Sequence, residues 1–261
     1  MDIDFIKVDP AQNMTVLVKS HHERALYKDI SKKLMQYNNV YAEQVGFIEP
    51  AEKAGAWARL HMMGGEFCGN AAASLAVVAA RDRGLKEGLT HSIPLEVSGA
   101  EDIVNCEVTM NGRLCICKIE MPTPTVDGEI IRFPGIAHVI VNAREVPPDD
   151  DLIIGKMIES LLHEVKEEAL GLMIFDEEKQ FLTPVVYVKD IGVPIRERSC
   201  ASGAAAIGAR AAYRAHGDIE LSVNQPGGVI TVIAKESADR IRIWIKTNIR
   251  IAAEGTAFIS V

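Results

Sequence analysis

Aromatic residues are scarce in this chain: only 5% of its 261 residues are Phe, Trp or Tyr. That leaves little material for the stacking platforms on which single-stranded nucleic acid is bound. Positive charge is short as well, with 28 Lys and Arg against 36 Asp and Glu and a formal net charge of -8. Such a surface disfavours a phosphate backbone or an anionic membrane as partner. No apolar run approaches the roughly 18 residues a membrane span needs, and the opening MDIDFIKVDP lacks a basic stretch followed by an apolar one. The five cysteines, at 68, 106, 115, 117 and 200, are odd in number and form no paired CxxC pattern. They predict thiols in a reducing, cytoplasmic compartment rather than a secreted disulfide framework. His61 and His138 stand alone on apolar segments without an HxxxH or HxH partner, so no metal is expected. The chain also lacks a GxxxxGK[ST] phosphate loop, a dinucleotide-binding glycine signature and a lysine in a pyridoxal-type setting, so no cofactor is expected.

What the chain does have is a duplication. Cys68 stands in GGEFCGNAAASLAVVAAR and Cys200 in RERSCASGAAAIGARAAYR, 132 positions apart and so half a chain length. Around each lies the same succession of elements. The first half offers the strand-like DFIKVDPAQNMTVLV and a polar helix over 22–37 with Leu26, Ile30 and Leu34 in phase. EQVGFIE, AWARLHMMGGEF, the Cys68 helix and three further strands follow. The second half offers RFPGIAHVIVNA, a helix over 151–168, GLMIFDE, FLTPVVYV, the Cys200 helix, and the strands IELSV, GGVITVIAK, RIRIWIK and IRIAAEGTAFISV. Two copies of one α+β unit are expected, with the Ala-, Gly- and Ser-rich helix of each at the centre of its strands. The boundary is expected in MPTPTVDGE, where Pro122, Pro124 and Gly128 break regular structure. That gives lobes of 1–124 and 125–261 with a cleft between them.

A thiol at a helix N-terminus meets unpaired backbone N–H groups and the positive end of the helix dipole, which stabilise its thiolate. Gly69 and Asn70 follow the first thiol, and Ala201, Ser202 and Gly203 the second; these small or polar residues leave N–H groups open to a carboxylate. A carboxylate held between two such tips would place its α-carbon between two sulfurs. One sulfur would remove the α-proton, the other would return a proton from the opposite face, and the N–H groups would stabilise the charge that develops. This is the chemistry of an amino-acid racemase. The plainer reading, buried structural cysteine, suits a single thiol better than a pair at matching helix starts. It does suit Cys106, Cys115 and Cys117, which lie on strands. Glu197, between Arg196 and Arg198, could hold a substrate ammonium or belong to a solvated charge cluster. Asn13 and Gln44 could bond substrate or cap turns. His61 and His138 fit a satisfied core as well as a site, and QPGG at 225–228 fits a hairpin turn.

At these residues the chain resembles the diaminopimelate epimerase superfamily. EFCGNA and SCASGAAAIG match its two thiol motifs, ERSC its Glu-Arg element, and GIAH stands at its Asn-Pro-His turn. NMTVLV, EQVGFIE, GGEFCGNA, LMIFDEEKQFLTPVVYV and NQPGG bring it nearer to the histidine racemases of opine-type metallophore (staphylopine) biosynthesis. The resemblance implies two pseudo-symmetric lobes, each a strongly curved, mostly antiparallel sheet around a central helix, and cofactor-independent racemisation of a small amino acid. It implies Cys68 and Cys200 as acid and base and Gly69, Asn70, Ala201 and Ser202 as the carboxylate cradle, with Asn13, Gln44 and Glu197 flanking the substrate. LHMMGG lacks the Asn that diaminopimelate epimerases carry there, and the loop before the second Cys is short. Both features argue against diaminopimelate. Arg198 and Ala201 replace the Asn and Gly of histidine racemases and alter the side-chain pocket. A homodimer is the assembly the resemblance allows. A diaminopimelate epimerase or a racemase of another amino acid, or a non-catalytic amino-acid or thiol-redox sensor built on the same helix tips, stands as the alternative, and α-proton exchange separates enzyme from sensor.

Overall fold

The computed structural model describes residues 1–189, 192–237 and 240–260. They form two compact units, one made of Met1–Glu120 with the C-terminal stretch from Lys246, the other of Met121–Ile245. The expected partition left the whole C-terminus in the second lobe. The difference lies in the last strand, whose residues 249–258 pair antiparallel with the first strand, from Pro10↔Ile249 to Asp2↔Phe258.

The first unit runs β1 (Asp2–Pro10), β2 (Thr15–Val18), α1 (Tyr27–Leu34), β3 (Gln44–Glu49), β4 (Arg59–Met62), α2 (Gly69–Asp82), β5 (Thr90–Val97), β6 (Val104–Thr109) and β7 (Leu114–Met121). Its strands follow one another in the sheet in chain order. The β2–β3 and β4–β5 pairs are parallel, and the others are antiparallel. The polar helix is shorter than expected, a 3-10 turn over Arg24–Leu26 leading into α1. Tyr27 anchors it by stacking on Phe47 at 3.5 Å between ring centroids, while its hydroxyl donates to Glu49 at 2.8 Å. Arg24 donates twice to the same carboxylate, which its bonds hold down to a pKa of about 2.

The second unit runs β8 (Thr125–Asp127), β9 (Ile130–Phe133), β10 (Ile136–Asn142), α3 (Asp151–Leu161), β11 (Ala169–Asp176), β12 (Phe181–Val188), β13 (Pro194–Arg196), α4 (Ala201–Ala215), β14 (Ile219–Gln225) and β15 (Gly228–Ser237), and the chain ends in β16 (Arg240–Phe258). RFPGIAHVIVNA forms two strands rather than one, because Pro134 has no N–H to donate and Gly135 turns the chain at φ 84°. Asp150 caps α3 by accepting from the N–H groups of Leu152 and Ile153. The β10–β11 and β12–β14 pairs are parallel, at the same places in the order as the two parallel pairs of the first unit. The duplication in the sequence is therefore a duplication of topology, and the fold is α+β.

The central helices have a common cause. α2 is packed by β1 through β6, and 11 of its 14 residues are buried. α4 is packed by β8, β9, β10, β14 and β15, with 10 of 15 buried. A helix covered on so many sides favours small side chains where a strand passes closest. At Gly208 a Cβ would lie 2.3 Å from Val232 Cγ1, so the helix backbone rests almost directly on β15. Among the described residues no helix is long and apolar enough to cross a membrane. We expect Gly208→Val to lower stability by about 2 kcal/mol or more through overpacking, since Val232 is stiff and held on a strand. Thermal or urea unfolding measures this, and an unchanged transition would contradict the close helix–sheet contact.

Candidate active site

Both thiols occupy the same structural position. Cys68 is the N-cap of α2, with φ −127° and ψ 110°, and Cys200 is the N-cap of α4, with φ −123° and ψ 110°. Each backbone is extended where the helix begins, and each carbonyl accepts the first helical bond, from Ala72 at 2.9 Å and from Ala204 at 3.0 Å. At both tips the N-cap position is held by the cysteine itself. Gly69, Asn70, Ala201 and Ser202 fill the first turns, where backbone N–H groups have no acceptor within the helix. Among the described residues, which include all five cysteines, there is no disulfide.

In the first unit Cys68 is half-buried and its side chain does not cap its own helix. The segment leading to it is held from the turn after β5. Ser98 Oγ accepts from the N–H of Met62 at 2.9 Å and donates to the carbonyl of Glu66 at 2.8 Å. Gly99, at φ 74°, lies so close beneath that a Cβ there would sit 2.4 Å from the backbone nitrogen of Phe67. Asn13 is 1% exposed and follows two residues of positive φ, Ala11 and Gln12. Its Nδ2 donates to Glu43 at 3.0 Å, and its Oδ1 has no partner among the described residues. Gln44 opens β3 opposite Thr15. The next residue, Val45, accepts from the N–H of Met63, which ties this strand end to the approach to Cys68. Asn13, Glu43 and Gln44 therefore form one polar group at adjacent strand ends. Glu43 was not among the expected residues; its place directly before Gln44 was the available signal.

In the second unit Cys200 is buried, and its sulfur accepts from the N–H of Gly203 at 3.4 Å and lies 3.6 Å from Ser202 Oγ. These contacts favour the thiolate. They are outweighed: burial first and the charge of Glu197 second raise the thiol well above its ordinary 9.0. The expectation that a helix tip lowers both thiols is corrected here, because desolvation and a neighbouring carboxylate exceed the effect of the N–H groups. Arg198 donates to the carbonyl of Pro226 at 3.3 Å, so its guanidinium lies against the 225–228 turn. That turn is a hairpin, as expected, with Gln225 opposite Gly228.

His61 is half-buried and His138 lies in the interior. His61 packs edge-on to Tyr27 at 5.5 Å, and burial lowers its pKa. His138 is completely buried, has no hydrogen-bond partner on either ring nitrogen among the described residues, and is driven to a pKa of about 3 by burial alone. It is a core histidine but not a satisfied one. It fills the space over Gly171, where a Cβ would be 2.0 Å from its Nδ1, while Met173 on the same strand covers Gly203 at the α4 tip. Cys106, Cys115 and Cys117 are buried in the sheet, and hydrogen bonding with Cys106, then burial, raises the Cys117 thiol. Among the described residues no group of three or more His, Cys, Asp or Glu is placed to hold a metal ion.

Residues 2–258 match the family model described as histidine racemase CntK N-terminal domain. The chain is 34% identical to a histidine racemase of Fusobacterium nucleatum, covering 98% of this chain and 97% of that one. It is 32% identical to a histidine racemase of Staphylococcus aureus, covering 98% of each. Among solved structures, a hydroxyproline epimerase from Agrobacterium vitis with bound trans-4-hydroxy-L-proline superposes with a TM-score of 0.70 at 8% identity, over 99% of this chain and 93% of that one. A Bacillus anthracis phenazine biosynthesis protein of the PhzF family gives 0.69 at 17% identity, over 99% and 100%. These two show the fold.

The electrostatics of Cys200 can be tested directly. Glu197→Gln removes the charge and keeps the volume, so the Cys200 thiol should ionise at lower pH. Peptide mass spectrometry of iodoacetamide-treated Cys68→Ser protein, with and without Glu197→Gln, reads this as a shift of the Cys200 alkylation profile to lower pH. An unmoved profile would show that Glu197 does not act on the thiol.

Proposed function

The chain belongs to the histidine racemase family, and on that premise we propose that Cys68 and Cys200 are its paired acid and base, acting on opposite faces of one substrate α-carbon. The observation that supports this most is the match of the two tips, each a cysteine N-cap of the same backbone conformation on a small-residue helix. Two unrelated structural cysteines have no reason to share it.

Burial and the charge of Glu197 raise the Cys200 thiol well above its ordinary value, so in this reading Cys200 starts as the proton donor and Cys68 as the base. A substrate presenting its α-hydrogen to Cys68 loses a proton to that sulfur. The electron pair of the broken C–H bond stays on the α-carbon and spreads into the carboxylate. Cys200 then gives its proton to the other face, and the pair is left with its charges exchanged, ready for the reverse reaction. The thiols titrate as a coupled unit, since each direction needs one ionised and one protonated. The steps balance in protons and electrons without an electron acceptor. L- and D-histidine have equal free energy in water, so kcat/KM must be the same in both directions.

The hard step is the charge on the substrate. First-turn N–H groups of Gly69, Asn70, Ala201 and Ser202 would hold the carboxylate and stabilise the negative charge that grows on it; a single donor of this kind is worth about 10²- to 10³-fold in rate. Asn13 Oδ1, a buried acceptor without a partner among the described residues, suits a substrate N–H, either the ammonium or the imidazole. Gln44 and Glu197 flank the substrate in the same reading.

Incubation with L-histidine in neutral buffer should produce D-histidine, followed by the decay of circular dichroism to zero. Cys68→Ser and Cys200→Ser should each reduce the rate by about 10³-fold or more, as loss of one member of an acid–base pair does. Appreciable racemisation by either variant would refute the two-thiol assignment, and binding of histidine without loss of optical signal would identify a sensor instead.

A further inference from the structure

We propose that Gln225 is a positioning residue, holding Cys200 in its reactive N-cap conformation through a bond to the backbone rather than to the sulfur. The inference rests on the two-thiol reading above. Gln225 closes β14 beside a Pro-Gly-Gly turn, where the hairpin needs only Pro226 and the glycines. Nothing in the turn calls for a buried amide. Yet Gln225 is 5% exposed, its Oε1 accepts from the N–H of Cys200 at 2.7 Å, and its Nε2 has no partner among the described residues. A carboxamide buried with one half unsatisfied costs stability, and a role for its other half explains its presence there.

The bond falls at a sensitive point. The N–H of an N-cap residue lies outside the helical ladder, so the helix does not fix the Cys200 peptide plane. Two further bonds clamp the same segment to the same turn. Gly227 N–H donates to the carbonyl of Arg198 at 2.7 Å, and Arg198 donates back to the carbonyl of Pro226. With these three bonds the extended conformation of Cys200 is held, and its sulfur meets the N–H of Gly203.

The first unit supplies an independent parallel. The turn at the equivalent place, after the strand that follows the thiol helix, contains Ser98 and Gly99. It grips the two residues before Cys68 through Ser98 Oγ and the close approach of Gly99 to Phe67. The duplicated fold therefore buttresses each thiol from the same turn with different atoms: a hydroxyl and a bare glycine in one, a buried amide in the other.

The test uses the full chain carrying Gln225→Ala or Gln225→Glu, with kcat and KM for L-histidine, the pH profile of Cys200 alkylation by iodoacetamide, and thermal unfolding. Gln225→Ala should lower kcat by about 10- to 100-fold, in line with the cost of small misplacements at a reacting group, with KM changed less than about threefold, and should move the alkylation profile. Gln225→Glu keeps an acceptor for the Cys200 N–H but adds a charge, so its alkylation profile should move to higher pH than that of the unaltered chain. The proposal is overturned if Gln225→Ala retains kcat within about twofold, or if its activity falls only as its folded fraction falls while the alkylation profile stays in place. Alkylation does not depend on turnover. If the unaltered chain failed to racemise histidine, the racemase reading would fall while the Gln225 contact would still be tested by the profile.

Discussion

The structure depends on one constraint: each of the two helix-tip sulfurs is carried by the residue where an extended chain turns into a helix. That position provides a carbonyl that starts the helical ladder, and beside it backbone N–H groups that the helix cannot satisfy. In the proposed reading a base and an anion-binding surface therefore come from one local geometry. The helix behind is buried by strands on several sides, and most of its buried positions carry Ala, Gly or Ser. The composition of α2 and α4 and the chemistry proposed for their tips have the same origin.

The two tips are alike in backbone and unlike in environment. Cys68 is half-buried, whereas Cys200 is buried beside Glu197, which together with burial raises its thiol well above the ordinary value. A racemase acts on two substrates that are mirror images, so a symmetric scaffold suits the reaction. In the proposed mechanism the pair rests with a single charge, and Glu197 and the burial of Cys200 make the two thiols unequal. The turns that hold the two tips, Ser98–Gly99 in one unit and the hairpin of Gln225 in the other, show the same divergence of detail on a shared frame.

Much of this was legible in the sequence because duplication is a global signal. The recurrence of a Cys before a small-residue run, 132 residues apart, gave the helices, their N-termini and the α+β class without any long-range contact. Long-range pairing was not legible. The return of residues 249–258 to β1 depends on a strand partner some 240 positions away, and no local pattern marks it. The raised thiol at Cys200 was missed for a related reason: the helix-tip effect is local and visible in sequence, whereas desolvation depends on what the fold brings around the sulfur. Gln225 was taken for turn material, since its partner, the N–H of Cys200, lies 25 residues away. His138 fitted a satisfied core, and only packing over Gly171 shows that its nitrogens meet no partner among the described residues.

The central claim is that the proton removed and the proton delivered travel on different sulfurs. Its most direct test is the position of deuterium at low conversion when L-histidine is racemised in deuterated water, with the enantiomers separated and analysed by mass spectrometry. The account predicts that the D-histidine formed carries deuterium at the α-carbon while the remaining L-histidine keeps protium. Deuterium entering the remaining L-histidine as fast as it enters the product would mean that one base serves both faces, and would contradict the account.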